Sequence, residues 1–411
     1  MKKLFLLIFI SVLALSTFTA NAQEKNDSRF GISFSGFVKS DFFYDSRQTQ
    51  SVREGHFLLF PEKEVLDKNG EDINAKPNFN FLNIQTRITG KITGPDFFDA
   101  KTSGLVEGEF FGTSDGDLNG FRLRHAFVKL DWENTSLLAG QFWHPMFVVD
   151  CAPATISFNT GAPFQPFARN PQLRLTQKAG NLSIIAALAM ERDFLSPGPA
   201  GLSSSYMRNA GIPDANLQLQ YKSGDNLFGL GGELKVIQPR TVTTKNYITS
   251  EKLTSYSAMA FGKLKFDNVT FKIEGVYGNN LADQTMLGGY AVKSIDTNTN
   301  IETYTPVNVF TGWTEISYVK DFELGLFAGY LKNLGTTDNN LGTYYGRATN
   351  VDYQFRISPR VAIFSGKTKI AFELETTMAS FGTNDNNDKG KVINGKTVTN
   401  VRGLLSFIYS F

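Results

Sequence analysis

Charged residues recur at alternate positions in several short segments of the sequence. Pairs of like residues are separated by a single position: Glu107 and Glu109, Arg122 and Arg124, and Glu373 and Glu375. An arginine keeps its charge at any working pH and can bind a carboxylate or phosphate through two parallel hydrogen bonds. Since side chains two residues apart lie on the same face of a β-strand, the spacing predicts strands that carry charged groups on one face.

The elements that would position these side chains are predicted to be β-strands along the whole chain. The chain ends in an alternating segment whose apolar face consists of Leu405, Phe407, Tyr409 and Phe411. The same alternation recurs in segments 82–89, 172–176, 271–274 and 369–375, whereas helix signals are nearly absent.

Short polar turns and longer stretches alternate along the chain. Seven short turns are predicted near 94–96, 133–135, 179–181, 224–226, 267–268, 320–321 and 365–367. Eight longer stretches are predicted near 46–78, 113–119, 144–170, 192–212, 239–250, 281–306, 334–345 and 383–398. These connections predict about sixteen strands, and one hairpin missed or added would give about fourteen or eighteen. The pattern is typical of an up-and-down barrel with short periplasmic turns and long external loops.

The N-terminus has the features of a secretory signal peptide. Two lysines, a short apolar run and the small-x-small sequence ending at Ala22 predict that residues 1–22 are removed. Without those lysines the 41 basic residues become 39 and balance the 39 acidic ones, which argues against nucleic acid as a partner. No later apolar run reaches the roughly 18 residues of a membrane helix. The single cysteine cannot form an internal disulfide.

Residues 23–411 are predicted to form one all-β domain, a transmembrane antiparallel up-and-down barrel in the outer membrane of a Gram-negative bacterium. A closed barrel gives each backbone N–H and C=O group a partner, which lipid cannot supply. The 37 phenylalanines suit an outward face and its interfacial aromatic girdles. The last strand, ending at a lipid-facing Phe411, is expected to pair with the first, near 30–44. A barrel of about sixteen strands leaves an aqueous channel.

The inward face of this barrel would receive the alternating charged residues. The pore-lining candidates are Arg87, Arg122, Arg124, Arg174, Arg356, Arg360, Glu107 and Glu109, with Glu373 and Glu375 on the same face. Rings of charge set the ion preference of a pore, so the arginines predict a modest preference for anions. Replacing Arg122, Arg124 and Arg174 with neutral residues should then shift the reversal potential toward cations. The alternative is that these charges pair across strands and stabilise the wall.

The segment 144–170 is poor in charge and rich in proline, alanine and aromatic residues, unlike the other long connections. It is predicted to fold into the channel as a constriction loop that buries Phe158, Phe164 and Phe167. Packing at a subunit interface is the alternative. Cys151, within this segment, is expected to be a small buried residue.

The stretch from Phe121 to Leu188 contains several motifs in a fixed order. It reads FRLRHAFVKLDWENTSLLAGQFWHPMF, then PATISFNTG, then FARNPQLRLTQKAGNLSIIAAL. In this order the motifs resemble those of the DcaP-like trimeric porins. The resemblance implies a sixteen-stranded homotrimer that passes small anions such as dicarboxylates, and assembly machinery that reads the terminal aromatic strand. The family's motifs carry arginine at the positions of Arg122, Arg124, Arg169 and Arg174. DcaP-like chains can carry an N-terminal helical extension, whereas only a short polar stretch, 23–29, precedes the first predicted strand here.

Three classes of function remain open from the sequence. The first is a channel for passive diffusion of small, preferentially anionic solutes, in contact with outer-membrane lipid and lipopolysaccharide. The second is a barrel enzyme, such as a phospholipase or protease, which needs a nucleophile or acid pair supported by a histidine or carboxylate. No Ser or Asp can be matched to His56, His125 or His144, whose spacing also fits no metal site, so neither enzyme activity nor a cofactor is predicted. The third is a structural or adhesive barrel whose loop at 46–78 binds a partner.

Overall fold

The computed structural model describes residues 30–411. The predicted signal peptide, 1–22, and the first residues of the predicted domain 23–411 lie outside the described residues. Sixteen antiparallel strands form one closed barrel, as the sequence predicts. The second strand is interrupted at 83–86, and both of its halves pair with the first strand.

The barrel strands are numbered β1 to β16 in chain order. They are β1 (Gly31–Asp45), β2 (Asn78–Leu82 and Arg87–Thr93), β3 (Lys101–Glu109), β4 (Arg122–Asp131), β5 (Thr135–Trp143), β6 (Arg169–Ala179), β7 (Leu182–Ala189), β8 (Asp214–Ser223), β9 (Asn226–Ile237), β10 (Leu253–Phe266), β11 (Val269–Asn279), β12 (Glu302–Val319), β13 (Phe322–Thr336), β14 (Val351–Ser365), β15 (Thr368–Asp385) and β16 (Lys391–Ser410). The long connections contain shorter strands at Thr49–Val52, Phe57–Pro61, Pro197–Gly198, Gly201–Leu202, Gly288–Ile295 and Tyr344–Arg347. They also contain one α-helix, Ser205–Ala210, and two 3₁₀ helices, Asp115–Asp117 and Ala282–Gln284. Within 30–411, no helix is long and apolar enough to cross a membrane.

The barrel closes where the last strand meets the first. Strands β16 and β1 pair antiparallel from Phe37 opposite Ser410 to Asp45 opposite Arg402. The backbone N–H of Phe411 donates to the carbonyl of Gly36 at 3.0 Å, beyond the last paired residue. The predicted closure by the terminal aromatic strand is therefore confirmed.

The connections alternate between short and long, as predicted. Seven short turns join strands at the end of the barrel where both described termini lie, and seven longer connections and the short connection 386–390 lie at the other end. The predicted long loop at 383–398 is wrong, because β15 continues to Asp385 and β16 begins at Lys391. The polar residues there reflect exposure of a hairpin to solvent, and their backbone still pairs, with Thr383 opposite Ile393.

Outward and inward side chains alternate along each strand. On β1, Val38 is 48% exposed, whereas Lys39 and Asp41 are 3% and 1% exposed. On β8, Leu217 is exposed and the adjacent Gln218 is buried. An apolar outer surface around a closed wall whose inward face carries polar side chains is the reverse of a soluble sandwich, and it is suited to surrounding lipid.

The apolar core lies inside the barrel. Segment 144–168 and the hairpin formed by Thr49–Val52 and Phe57–Pro61 (the interior hairpin) both fold inward from the end with the long connections. The Phe57 ring lies 5.4 Å from that of Phe158 and 5.2 Å from that of Phe167, measured between centroids. These rings and Cys151 are buried within this chain, so the segment does not need a subunit interface to cover it. It ends at 168 instead of 170 because β6 begins at Arg169.

Candidate functional site in the barrel interior

Segment 144–168 is anchored to the wall by inward carboxylates that accept its backbone N–H groups. The N–H of Ala154 donates to Glu315 Oε2 at 2.7 Å, and the N–H of Ile156 donates to Glu373 Oε2. The side-chain amide Nδ2 of Asn159 also donates, to Glu375 Oε2 at 2.9 Å. A carboxylate that is buried and bonded in this way is unavailable to a passing ion, so Glu373 and Glu375 face the interior but serve to hold the segment.

Arg356 joins both inserted segments to the wall. Its Nη1 donates to the carbonyl of Ala162 at 2.8 Å, and its Nη2 donates to the carbonyl of Leu59 in the interior hairpin at 2.9 Å. Its Nε lies 3.4 Å from Glu375 Oε1. The guanidinium group is 1% exposed, so this predicted pore-lining residue points inward but is covered by the segments that it binds.

Four of the predicted arginines form a compact ionic cluster, here called the arginine cluster: Arg87, Arg122, Arg124 and Arg169, with Glu107, Glu109 and Asp193. Arg122 lies directly opposite Glu109 in the β3–β4 pairing. A register shift between Glu107 and Gly108 leaves Arg124 without a cross-strand partner, and such a bulge can redirect a side chain. The Arg124 guanidinium accordingly contacts both Glu107 and Glu109.

The carboxylates of the arginine cluster are shared between several arginines. Arg122 Nη2 lies 2.8 Å from Glu109 Oε1, and Arg122 Nη1 lies 3.0 Å from Asp193 Oδ1. Arg169 Nε lies 2.7 Å from Asp193 Oδ2. Asp193 belongs to the connection after β7. Burial raises the pKa of its carboxyl, but the attraction of Arg169 and Arg122 outweighs burial and leaves the pKa below its ordinary value.

The centre of the arginine cluster is buried in the barrel interior. Arg124 and Arg169 are 2% and 1% exposed, and Glu109 is fully buried. Both guanidinium groups also lie over the ring of Trp143, at 5.7 and 5.3 Å from its centroid. For these residues the geometry favours the alternative that was left open from the sequence, in which interior charges pair across strands and stabilise the wall.

Arg360 is paired in the same manner on another part of the wall, on β14. Its Nη1 lies 3.0 Å from Glu315 Oε2, and its Nε lies 2.7 Å from Glu323 Oε1. Lys369 also contacts Glu323, at 2.6 Å. Arg360 is buried, and its charge is compensated in place.

Arg174 is an exception among the predicted arginines. Within the described residues, it has no carboxylate within ion-pair distance. Its Nε donates to Gln172 Oε1 at 2.9 Å, its Nη2 donates to the carbonyl of Trp143 at 2.7 Å, and its guanidinium lies over the ring of Phe142. It is partly exposed, so its positive charge faces the barrel interior without a carboxylate to neutralise it.

A set of inward lysines was missed by the sequence analysis. They lie near the short turns, have no ion-pair partner among the described residues, and are here called the rim lysines: Lys91, Lys101, Lys178 and Lys263. Even spacing places Lys91 on the inward face with Arg87, and Lys178 on that face with Arg174. Lys263 lies opposite Lys272, whose Nζ reaches the carbonyl of Ala152 inside the barrel. The same period-two pattern that identified the arginines could have found these lysines.

Other inward lysines near this end have carboxylate partners. Lys129 lies 2.7 Å from Asp131, Lys222 lies 3.0 Å from Asp150, and Lys272 lies 3.4 Å from Glu315. At inward strand positions near the short turns the unpaired charge is therefore positive, contributed by the rim lysines and, deeper in the interior, by Arg174. The short turns themselves carry acidic residues without an ion-pair partner among the described residues: Asp96, Asp99, Glu133, Asp267 and Asp321.

Each histidine contacts an acidic residue. His56 Nε2 lies 2.6 Å from Asp41 Oδ2, and Ser406 Oγ hydrogen-bonds the other oxygen of the same carboxylate. Activation of a serine needs an imidazole between the acid and the hydroxyl. Here the carboxylate lies between the imidazole and the hydroxyl, so the histidine cannot take the serine proton. All three side chains are buried.

His144 lies in a group that the sequence spacing did not reveal. The ligating atoms of His144, Asp214 and Glu233 lie within 4.8 Å of one another, so these residues could hold a metal ion. Their contacts are also explained by hydrogen bonds. His144 Nε2 lies 2.7 Å from Asp214 Oδ2, and Glu233 accepts hydrogen bonds from Gln284 and Ser257.

The barrel matches solved structures. No protein-family model and no curated protein matches the sequence. The outer membrane channel DcaP of Acinetobacter baumannii matches with a TM-score of 0.69 at 15% identity, over 97% of this chain and 100% of that chain. The anion-selective porin from Comamonas acidovorans matches with a TM-score of 0.54 at 11% identity, over 93% and 100%. OmpT, an outer membrane protein of Vibrio cholerae, gives 0.55 at 11% identity, over 93% and 98%.

At these identities the matches establish the fold. The chain has a porin-type barrel like that of DcaP, and the resemblance seen in the sequence is confirmed at that level.

Proposed function

We propose that this chain forms a channel in the outer membrane of a Gram-negative bacterium for passive diffusion of small solutes, with a preference for anions. The observation that carries the preference is the excess of unpaired positive charge at inward positions near the short turns, formed by the rim lysines and Arg174. Unpaired charges at the mouth of a pore raise the local concentration of ions of opposite sign. The name of the Comamonas porin supports the same preference.

The proposed channel is narrowed by its own interior. Segment 144–168 reaches the far wall at Glu315 and Glu373, and the interior hairpin lies against it. A sixteen-stranded barrel without such segments would be open to water. We therefore assign segment 144–168 the role of a constriction, and expect a smaller conductance than from an unobstructed barrel of this size.

The proposed assembly is a homotrimer that contacts lipid and lipopolysaccharide. Trimeric forms exist among the matched structures, since OmpT of Vibrio cholerae was solved in one. Phe411, exposed beside Gly36 at the closing seam, is the residue that we expect the barrel assembly machinery to recognise.

The test is the reversal potential of purified protein in a planar bilayer under a tenfold KCl gradient. The wild type should conduct and show a higher permeability to chloride than to potassium. In a variant with all four rim lysines replaced by glutamine, the chloride-to-potassium permeability ratio should fall by at least about twofold, because ring charges set ion preference.

A matched control removes the same charge elsewhere. Replacing four exposed lysines of the outer connections by glutamine, at Lys63, Lys68, Lys245 and Lys389, should leave the ratio nearly unchanged. A barrel that does not conduct would overturn the channel and favour an adhesive or structural role. Cation preference in the wild type would overturn the assignment of the rim lysines.

A further inference from the structure

A separate cavity of about 330 Å³ lies among the long connections. Four of these connections line it: the interior hairpin, the connection after β7, the connection after β11 and the connection after β13. It therefore lies at the end of the barrel opposite the rim lysines, on the side that we assign to the exterior.

One wall of the cavity carries an arginine without a partner. Within the described residues, the side chain of Arg347 makes no hydrogen bond or ion pair, and its Nε is buried without an acceptor. Asp283 attracts the guanidinium group, but its own carboxylate is hydrogen-bonded to Lys235. Burial lowers the pKa of Arg347 to about 10, and the attraction of Asp283 acts against this change, so the group remains charged at neutral pH.

The backbone holds Arg347 in place. It ends the short strand Tyr344–Arg347, which pairs with Gly288–Ile295 so that Arg347 lies opposite Gly288. A Cβ on Gly346 would lie 2.5 Å from the carbonyl oxygen of Gly288, so the two backbones approach closely. This close pairing places Arg347 on a rigid element. A ligand loses less entropy on binding to such a residue than to one on a mobile segment.

The remaining walls are mostly apolar, apart from Gln50 and Ser51 of the interior hairpin. Leu59 and Phe60 contribute from the interior hairpin, and Pro197 and Leu202 contribute from the connection after β7. An apolar pocket with a single charged group typically binds a ligand through its apolar body and orients it through the charge. A small inorganic anion would not cover these apolar walls, which would stay in contact with water, so the lining favours an organic anion.

We propose that this cavity binds an organic anion whose carboxylate pairs with Arg347 and whose apolar body contacts Leu59, Phe60 and Leu202. The guanidinium group can donate two parallel hydrogen bonds to a carboxylate. The inference rests on the proposed channel for its biological role, as a site that concentrates such solutes before they enter the constriction. The binding itself does not depend on conduction.

The test is a ¹⁹F NMR titration of the detergent-solubilised barrel with 4-fluorobenzoate. Two further probes separate the contributions: 4-fluorobenzyl alcohol keeps the ring without the charge, and fluoroacetate keeps the charge without the ring. The carboxylate with the ring should bind most tightly. In R347Q its Kd should rise by about 10- to 100-fold, the range for loss of a charge-assisted hydrogen bond.

Two variants make the result specific. R208Q removes the same charge from an exposed residue of the connection after β7, and its Kd for 4-fluorobenzoate should match the wild type. L202A should weaken 4-fluorobenzoate severalfold and leave fluoroacetate unchanged, because only the ring contacts that wall. Equal binding of 4-fluorobenzoate to the wild type and R347Q would overturn the proposal.

The outcome is independent of the channel test. If the barrel conducts and prefers anions but R347Q has the same Kd for 4-fluorobenzoate as the wild type, this site alone is refuted. A barrel that binds 4-fluorobenzoate through Arg347 but does not conduct would refute the proposed channel alone.

Discussion

The arginines of the arginine cluster and the rim lysines are all positively charged and all point inward, yet they have different surroundings. Glu109 is fully buried and contacts Arg122, Arg124 and Arg169. Lys91 and Lys178, by contrast, are exposed at the ends of their strands and have no carboxylate partner in 30–411. Charge type alone therefore does not predict a role.

The comparison separates stability from selectivity. A buried ion pair whose partner is removed leaves an uncompensated charge in a low-dielectric region, which destabilises the fold. An exposed, unpaired charge adds little to stability, but its field reaches ions in the water beside it. We therefore expect substitutions in the arginine cluster to affect unfolding, and substitutions at the rim to affect permeation.

The largest effect is expected from Glu109→Gln. It removes the carboxylate shared by the arginine cluster and should lower the free energy of unfolding by about 3–5 kcal/mol. Urea titration in lipid vesicles, followed by tryptophan fluorescence, measures this change. Asp388→Asn, which breaks an exposed pair with Lys391, is the control and should cost less than about 1 kcal/mol. Equal effects of the two variants would contradict the structural role of the cluster.

A smaller loss of stability is expected from Arg122→Gln. Glu109 and Asp193 each retain another arginine, so the cost should be about 1–3 kcal/mol. The reversal potential should remain close to that of the wild type, because the compensated charge at Arg122 contributes little field to the pore. A large shift toward cations without loss of stability would instead support the first interpretation of the sequence.

Arg174→Gln should show the opposite balance. Removing its hydrogen bonds to Gln172 and Trp143 should cost about 1 kcal/mol. Because no carboxylate compensates Arg174, the reversal potential should shift toward cations, by less than in the variant lacking all four rim lysines. The measurement is the salt-gradient potential of this single variant beside that of Arg122→Gln. No difference between them would mean that pairing does not decide which arginines act on ions.

The smallest effect is expected from ionic strength. Raising salt from 0.1 to 1 M shortens the screening length from about 10 to about 3 Å, so the preference due to the rim lysines should weaken. The unfolding difference between the wild type and Glu109→Gln should change little, since buried pairs are poorly screened. An anion preference that does not change with salt concentration would indicate that buried charges, and not the rim lysines, cause it.

The wall of the barrel was predictable because its determinants are local. Alternation and turn residues lie within a few positions of each other, and they identified every short turn and the seam between β1 and β16. The loop predicted at 383–398 shows the limit. Its polar residues indicate a connection, although a strand pair exposed to water needs no apolar face.

The interior was only partly predictable because its contacts join distant parts of the chain. Alternation placed Arg122 and Arg124 on the inward face, but it could not show that Asp193, from another connection, would complete their ion pairs. The cavity beside Arg347 depends on four connections meeting at one place, and no local pattern encodes this meeting. The rim lysines differ, since the same local alternation that identifies the arginines also places these lysines on the inward face.

Arg356 has a mechanical consequence. A single guanidinium group holds the carbonyl of Ala162 in one inserted segment and the carbonyl of Leu59 in the other. Neither segment can leave its position without removing an acceptor from a buried cation, which costs more than breaking an exposed contact. Displacing either segment therefore leaves a donor of this buried guanidinium group without its acceptor, so a single residue of the wall restrains both segments.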